Sequence, residues 1–183
     1  MNGFYISIGK QGYGKTVFIT KIAVDEFDNT RPIFSNYTLN KLPYQSITFD
    51  KTKKPHHDSI SILDKLDENP NFFNNSIMLL DEIHIYLDSL DFMRKNNRRM
   101  QIFFSQLRKR NILLLATTQY IMNVDIRIRR QCKNVFEMEH IYKDLFKVTT
   151  SVIDGYFTEE ISSYNVVLKD YYDHYNTNEI ILE

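Results

Sequence analysis

Short, continuous apolar runs alternate along this chain with stretches whose apolar residues recur at helical spacing. Residues 3–8, "GFYISI", read as a first strand, and Lys15 to Phe27 carries Val17, Ile19, Ile22, Ala23 and Phe27 on a helical repeat. "PIFSNYTL" predicts a second strand, and the connection "KLPYQSITFDKTKKPHHD" contains a short one at Ile47 to Phe49. Ile60, Leu63 and Leu66 then recur at helical spacing, until "ENPNFFNNS" interrupts with turn residues. "IMLL" is a buried strand, "IHIYLDSLDF" has little periodicity, and Asn97 to Arg110 places Met100, Phe103, Phe104 and Leu107 on one helical face. "NILLLATT" closes this part as another wholly apolar strand. Such doubly buried strands alternating with helices predict an α/β fold with a mostly parallel sheet covered on both faces.

From Asn134 the period shortens. "VFEMEHIY", "LFKVTTSVI" and "ISSYNVVL" alternate in the manner of half-exposed strands, predicting antiparallel strands that extend the sheet edge or lie across it, followed by a polar tail. With no repeat or linker, residues 1–183 are expected to form one domain, with a core over about 1–140 and the terminal strands and tail over about 141–183.

Composition narrows the class. The apolar and charged fractions, 43% and 25%, are those of an ordinary globular chain. No apolar run approaches the length needed to cross a bilayer and no leader pattern opens the chain, so an intracellular protein without a membrane anchor is expected. The single cysteine, Cys132, excludes a disulfide framework and is expected to be a buried small apolar residue. A net charge of zero conceals segregation: "MRKNNRRMQIFFSQLRKR" and "DIRIRRQCK" are almost purely basic, and the chain after Asn134 is acidic on balance. A nucleic-acid surface is therefore compatible with the neutral total, and the acidic third is expected to face away from it.

The candidate chemistry begins at "GKQGYGKT", which satisfies G-x-x-x-x-G-K-[ST] with Gly9, Gly14, Lys15 and Thr16, between a strand and a helix. Gly9, Gly12, Tyr13, Gly14, Lys15, Thr16 and Val17 are the expected nucleotide cradle. Backbone amides converge on the phosphates, Lys15 reaches the β- and γ-phosphates, and the Thr16 hydroxyl takes a Mg²⁺ position. Asp81 and Glu82 follow the "IMLL" strand, where ligands gather in open parallel sheets. Asp81 is the expected second Mg²⁺ anchor and Glu82 the group that polarises the attacking water, although both types also favour helix starts. Of Thr117, Thr118 and Gln119 at the tip of "LLLATTQY", Gln119 is chosen as the γ-phosphate sensor. Arg94, Arg98, Arg99, Arg108, Arg110, Arg127, Arg129 and Arg130 supply candidates for a transition-state arginine or for phosphate-backbone contacts. His56 and His57 lack the companions of a metal site, and His84 is expected to pack beside the acidic pair.

The combination of "GKQGYGKT", "RPIFSN", "IMLLDE", "LRKRNILLLATTQ", "NVDIRIRR" and "DHYNTNE" resembles the FtsK/HerA branch of ATPases. Within it the chain is similar to small viral DNA-packaging ATPases and to zonula-occludens-toxin-like phage assembly proteins. The resemblance implies a RecA-like P-loop NTPase fold, ATP and Mg²⁺ at the site, and a homo-oligomeric ring, hexamer or pentamer, around double-stranded DNA. It also implies a trans-acting arginine, matched by Arg108 with Arg99 and Arg110 as competitors, and action in the infected host cell, on a procapsid or virion. Asn36 and Asp125 match residues of the toxin-like members but carry no evident chemical role. The chain stops before the membrane-spanning segment with which toxin-like proteins continue, and "RKR" stands where the family has "RH". The expected function is accordingly an ATP-driven translocase that packages double-stranded DNA into a capsid, with a capsid or vertex protein as partner. The rivals are an extrusion ATPase for filamentous phage, a small kinase and a nucleotide switch.

Overall fold

The computed structural model describes residues 1–49, 59–87, 95–154 and 157–176. In chain order these form β1 (Gly3–Ile8), α1 (Lys15–Glu26), β2 (Ile33–Ser35), β3 (Gln45–Thr48), β4 (Ile60–Ser61), α2 (Ile62–Glu68) and β5 (Ile77–Leu80). There follow α3 (Lys95–Ser105), β6 (Leu113–Thr118), α4 (Ile126–Arg129), β7 (Cys132–Tyr142), β8 (Leu145–Asp154) and β9 (Phe157–Val167). Single 3₁₀ turns occupy Ile83–Ile85, Ile121–Asn123 and Lys169–His174.

The strands make one sheet in the order β4-β3-β2-β5-β6-β1-β7-β8-β9. Every pairing from β4 to β7 is parallel, whereas β8 and β9 add antiparallel. Alternation along the central strands splits the core in two. Phe4, Ile6, Met78, Leu80 and Leu114 pack with Phe73, Phe103 and Phe104 on one face. Tyr5, Ile77, Leu79 and Leu115 pack with Phe18, Ile19 and Ala23 of α1 on the other. That two-sided burial is what the continuous apolar runs demanded.

Several boundaries differ from the periodicity, each for a local reason. Ile60 belongs to a strand, because Ser61 caps α2 by accepting the Asp64 N–H, so the helix starts at Ile62. The second strand stops at Ser35, whose hydroxyl donates to Tyr37 O at 2.6 Å and accepts Tyr37 N–H at 3.1 Å, turning the chain out of the ladder. The helix expected to reach Arg110 ends at Ser105 and continues as turns to Asn111, whose φ is +56°. β7 starts two residues before Asn134, and its first half pairs parallel to β1 before it turns antiparallel company with β8. Cys132 is buried and unpaired, as a small apolar residue would be. Among the described residues no helix is long and apolar enough to cross a membrane.

Candidate active site

The loop between β1 and α1 is shaped by two glycines. Gly9 has φ +142°, and a Cβ there would stand 2.7 Å from the Met138 carbonyl oxygen of β7. Gly14 has φ +74°, and its Cβ would meet the Phe146 ring at 2.9 Å. Only glycine tolerates both the dihedrals and the contacts. Gly14 then caps α1 without any side-chain bond, and no acidic residue occupies the first turn. The first helical bond runs from Phe18 N–H to Gly14 O at 2.9 Å, so the amides of Lys15, Thr16 and Val17 have no acceptor within the helix. The positive end of α1 is thus left open to an anion. Lys15 is buried, its Nζ donating to Lys10 O at 3.1 Å, a carbonyl that also accepts the Tyr13 N–H at 3.2 Å.

β6 lies between β1 and β5, and this neighbourhood assembles the acidic half of the site. The Thr16 hydroxyl donates to Asp81 Oδ1 at 3.0 Å. The Thr117 hydroxyl donates to the same oxygen and accepts the Glu82 N–H at 2.9 Å. Asn36, fully buried at the end of β2, grips the Asp81 backbone from the other side. Its Oδ1 accepts Asp81 N–H at 2.7 Å, and its Nδ2 donates to Asp81 O at 2.9 Å. Glu82 sits in the left-handed region at φ +49°, with Oε2 3.2 Å from His84 Nδ1, a ring nitrogen that also lies 3.1 Å from Thr118 Oγ1.

Burial governs the charges. It lowers the Lys15 ammonium from its ordinary value, against the pull of Glu82 and Asp81. Burial raises the Asp81 carboxyl despite its bonds to Thr117 and Thr16, and burial followed by repulsion from Asp81 raises Glu82. Two carboxylates and a hydroxyl at close quarters are hard oxygen donors that fit Mg²⁺, which takes few protein ligands and completes its shell with water and phosphate. Thr16 and Asp81, joined by that hydrogen bond, are the residues that could hold such an ion.

Gly12, Gly14, Lys15, Thr16, Val17, Asp81 and Glu82 all line one cavity of about 400 Å³. The remaining expected residues do not. Gly9, Tyr13 and Gln119 line an adjoining cavity of about 650 Å³ with Lys10 and Tyr120, and Gln119 O accepts the Gly9 N–H at 3.4 Å. Thr117, rather than Gln119, is the strand-tip side chain in contact with the acidic pair. Arg108 is exposed beside Gly3, at the opposite end of β1 from the loop. Arg99 is engaged by Asp67 and Leu63 O, and Arg110 by Gln106 and Pro70 O. Arg94, His56 and His57 lie outside the described residues. Asn36 and Asp125, without a role on sequence grounds, prove to be structural anchors. Asp125 is buried, caps α4 by accepting Arg127 N–H at 2.8 Å, and pairs with the Arg127 guanidinium at 2.6 Å.

A parallel sheet in which strand, glycine loop and uncapped helix face an acidic residue on the next strand but one is the P-loop NTPase fold. The chain belongs to the zonular occludens toxin (Zot) family, whose model matches residues 3–172. Its structure is similar to the N-terminal domain of zonular occludens toxin from Neisseria meningitidis, at 21% identity and a TM-score of 0.70, covering 96% of this chain and 100% of that one. It is also similar to the genome packaging NTPase B204 of Sulfolobus turreted icosahedral virus 2 in complex with sulfate, at 10% identity and a TM-score of 0.55, covering 88% and 96%. The same NTPase in complex with ATP-γ-S aligns at 9% identity and a TM-score of 0.53, covering 88% and 97%. No curated protein sequence matches the chain.

Proposed function

We propose that this protein hydrolyses ATP to move DNA during assembly of a virus particle. The observation that carries the reading is the convergence of Lys15, Thr16, Asp81 and Glu82 on one cavity at the open end of α1. In this reading the amides of Gly12 to Thr16, with Lys15, hold the triphosphate. Thr16 and Asp81 would hold Mg²⁺, which would neutralise phosphate charge when bound. Glu82 orients the attacking water, and Thr117 and Asn36 keep the acidic pair in register.

If Arg108 supplies a transition-state arginine it acts on another protomer, because it stands at the opposite end of β1 from its own loop. Arg108 fits that role better than Arg99 or Arg110, both of which are held by neighbours in their own chain. Arg98, Lys109, Arg130 and Lys133 are exposed and suit sequence-independent contacts with DNA phosphates in a ring. Zot membership favours the extrusion of a filamentous particle, with a membrane-anchored partner and a site of action inside the host cell. The likeness to a packaging NTPase keeps capsid filling as the second reading, with a capsid or vertex protein as partner.

Phosphate release from ATP with and without linear double-stranded DNA tests the coupling. DNA is expected to raise turnover, and turnover to climb more than linearly with protein concentration. Hydrolysis indifferent to both would remove the translocation reading while leaving the ATPase.

A further inference from the structure

The cavity holding the phosphate loop has an aromatic lining that the chemistry above leaves unused. Besides the loop and the acidic pair, it is lined by Phe146 of β8, by Tyr172, Tyr175 and Asn176 of the terminal segment, and by Tyr37. Charged groups, free amides and aromatic rings therefore share one cavity, with the Phe146 ring beside Gly14 and the Tyr37 and Tyr175 phenols within reach of the Asp81 charge. We infer that Tyr172 and Tyr175 form a base-stacking subsite, backed by Phe146 and Tyr37, which makes the ligand a purine nucleoside triphosphate held by its base as well as its phosphates. This rests on the nucleotide reading of the phosphate loop and deepens it.

The wall is built rather than incidental. Leu168 is fully buried and donates its N–H to Asp144 O at 3.0 Å, fixing the end of β9. Beyond it, Asn40 N–H donates to His174 O at 2.9 Å and Asn176 N–H to Thr38 O at 3.2 Å, with Tyr175 bridging Leu39. The Tyr171 hydroxyl donates to Asp25 Oδ1 at 3.3 Å, and Lys21 Nζ lies 5.4 Å from the Tyr171 ring centre. The terminal segment is thus strapped to α1 and to the loop after β2, both of which border the cavity. Within the wall, Tyr37 meets Tyr175 edge-on at 84°, with ring centres 6.3 Å apart. Phe146 and Tyr37 are buried, whereas Tyr172 and Tyr175 keep partly open faces, which is the division expected of a floor and a contact surface. Burial pushes the Tyr175 phenol up to about 12, so it stays neutral and adds no charge against a triphosphate. An aromatic face stacks on a base with little regard to its identity, and a purine offers the larger surface.

Calorimetric titration of the full chain with ATP, CTP and inorganic tripolyphosphate, in Mg²⁺ buffer, is the test. ATP should bind at least about 10-fold more tightly than tripolyphosphate, with CTP between them. Tyr172→Ala and Tyr175→Ala should each weaken ATP about 10-fold while leaving tripolyphosphate unchanged, and Tyr172→Phe should recover the affinity by restoring the ring. Thermal unfolding of each variant checks that the strap still folds. If tripolyphosphate matches ATP on the unaltered chain, or if both alanine variants bind ATP normally, the base subsite is wrong. Should Lys15→Ala weaken ATP while the tyrosine variants do not, only this inference falls. Should nothing bind, the nucleotide reading falls with it.

Discussion

Asn36→Ala is the most instructive perturbation of this site, because it touches neither phosphate nor metal ligand side chains. The Asn36 main chain makes a last bond to β5, N–H to Leu79 O at 3.2 Å, and its side-chain amide extends the pairing by holding the Asp81 N–H and carbonyl at 2.7 and 2.9 Å. Truncation removes both bonds and leaves two main-chain groups unpaired beside a buried strand end. At about 1–3 kcal/mol for each unsatisfied group, with some relief from cavity water, the loss should be about 3 kcal/mol. For a chain of this size that lowers Tm by about 6–12 °C. The carboxylate of Asp81 would then lose its fixed approach to Thr16, and displacement of a reacting geometry is costly, so kcat should fall at least about 10-fold in protein that is still folded. Asn36→Asp is the paired control. It keeps an acceptor for the Asp81 N–H but sets a carboxylate oxygen against the Asp81 carbonyl, so it should not rescue either property. The assay is thermal unfolding alongside steady-state hydrolysis at saturating Mg-ATP, well below Tm. A Tm within about 1 °C of the unaltered protein together with undiminished kcat would refute the clamp, since the burial and bond lengths would then be energetically silent.

Other perturbations follow from the same geometry. Gly9→Ala forces a side chain into a φ of +142° and to within 2.7 Å of the Met138 carbonyl, so it should cost about 1–3 kcal/mol in strain and reduce ATP affinity, seen by thermal unfolding and titration. Phe104→Ala empties a ring that meets Phe4 edge-on with centres 4.9 Å apart; chemical denaturation should show a loss of about 3–5 kcal/mol. Asp125→Asn should lower stability by about 2 kcal/mol near neutral pH by removing the charge that pairs with Arg127, since Asn keeps the cap. The Arg127 hydrogen bond holds the Asp125 carboxyl below its ordinary 3.8, so its contribution is present above that value and lost as pH falls through the depressed one. Urea unfolding at a series of pH values should therefore show the two proteins converging only in strong acid.

The phosphate loop and the acidic pair were legible because their chemistry is written in local spacing: a strand, a glycine turn, a helix start, and a carboxylate where a buried strand ends. The central strands were legible for a related reason, since burial on both faces leaves little choice but Val, Ile, Leu and Met. What escaped depends on which distant segments meet. Asn36 and Thr117 reach Asp81 across 45 and 36 residues of chain, and only the strand order brings the tips of β2, β5 and β6 together. Gln119 was the natural choice at the end of "TTQ", but β6 ends at Thr118, and the next residue gives its carbonyl to Gly9 and lines the adjoining cavity. The aromatic wall was least legible of all. Alternation in the final strands announced half-exposed structure, and nothing in it revealed that residues 168–176 return to the first helix.

The central claim is that this cavity hydrolyses ATP, and the most direct test is phosphate release by the purified chain compared with Lys15→Ala and Glu82→Gln. The account predicts Mg²⁺-dependent turnover by the unaltered protein. Lys15→Ala should lose binding and turnover together, and Glu82→Gln should keep ATP affinity while turnover falls at least about 100-fold. Turnover that survives Glu82→Gln, or ATP binding indifferent to Lys15→Ala, would contradict the assignment of this site.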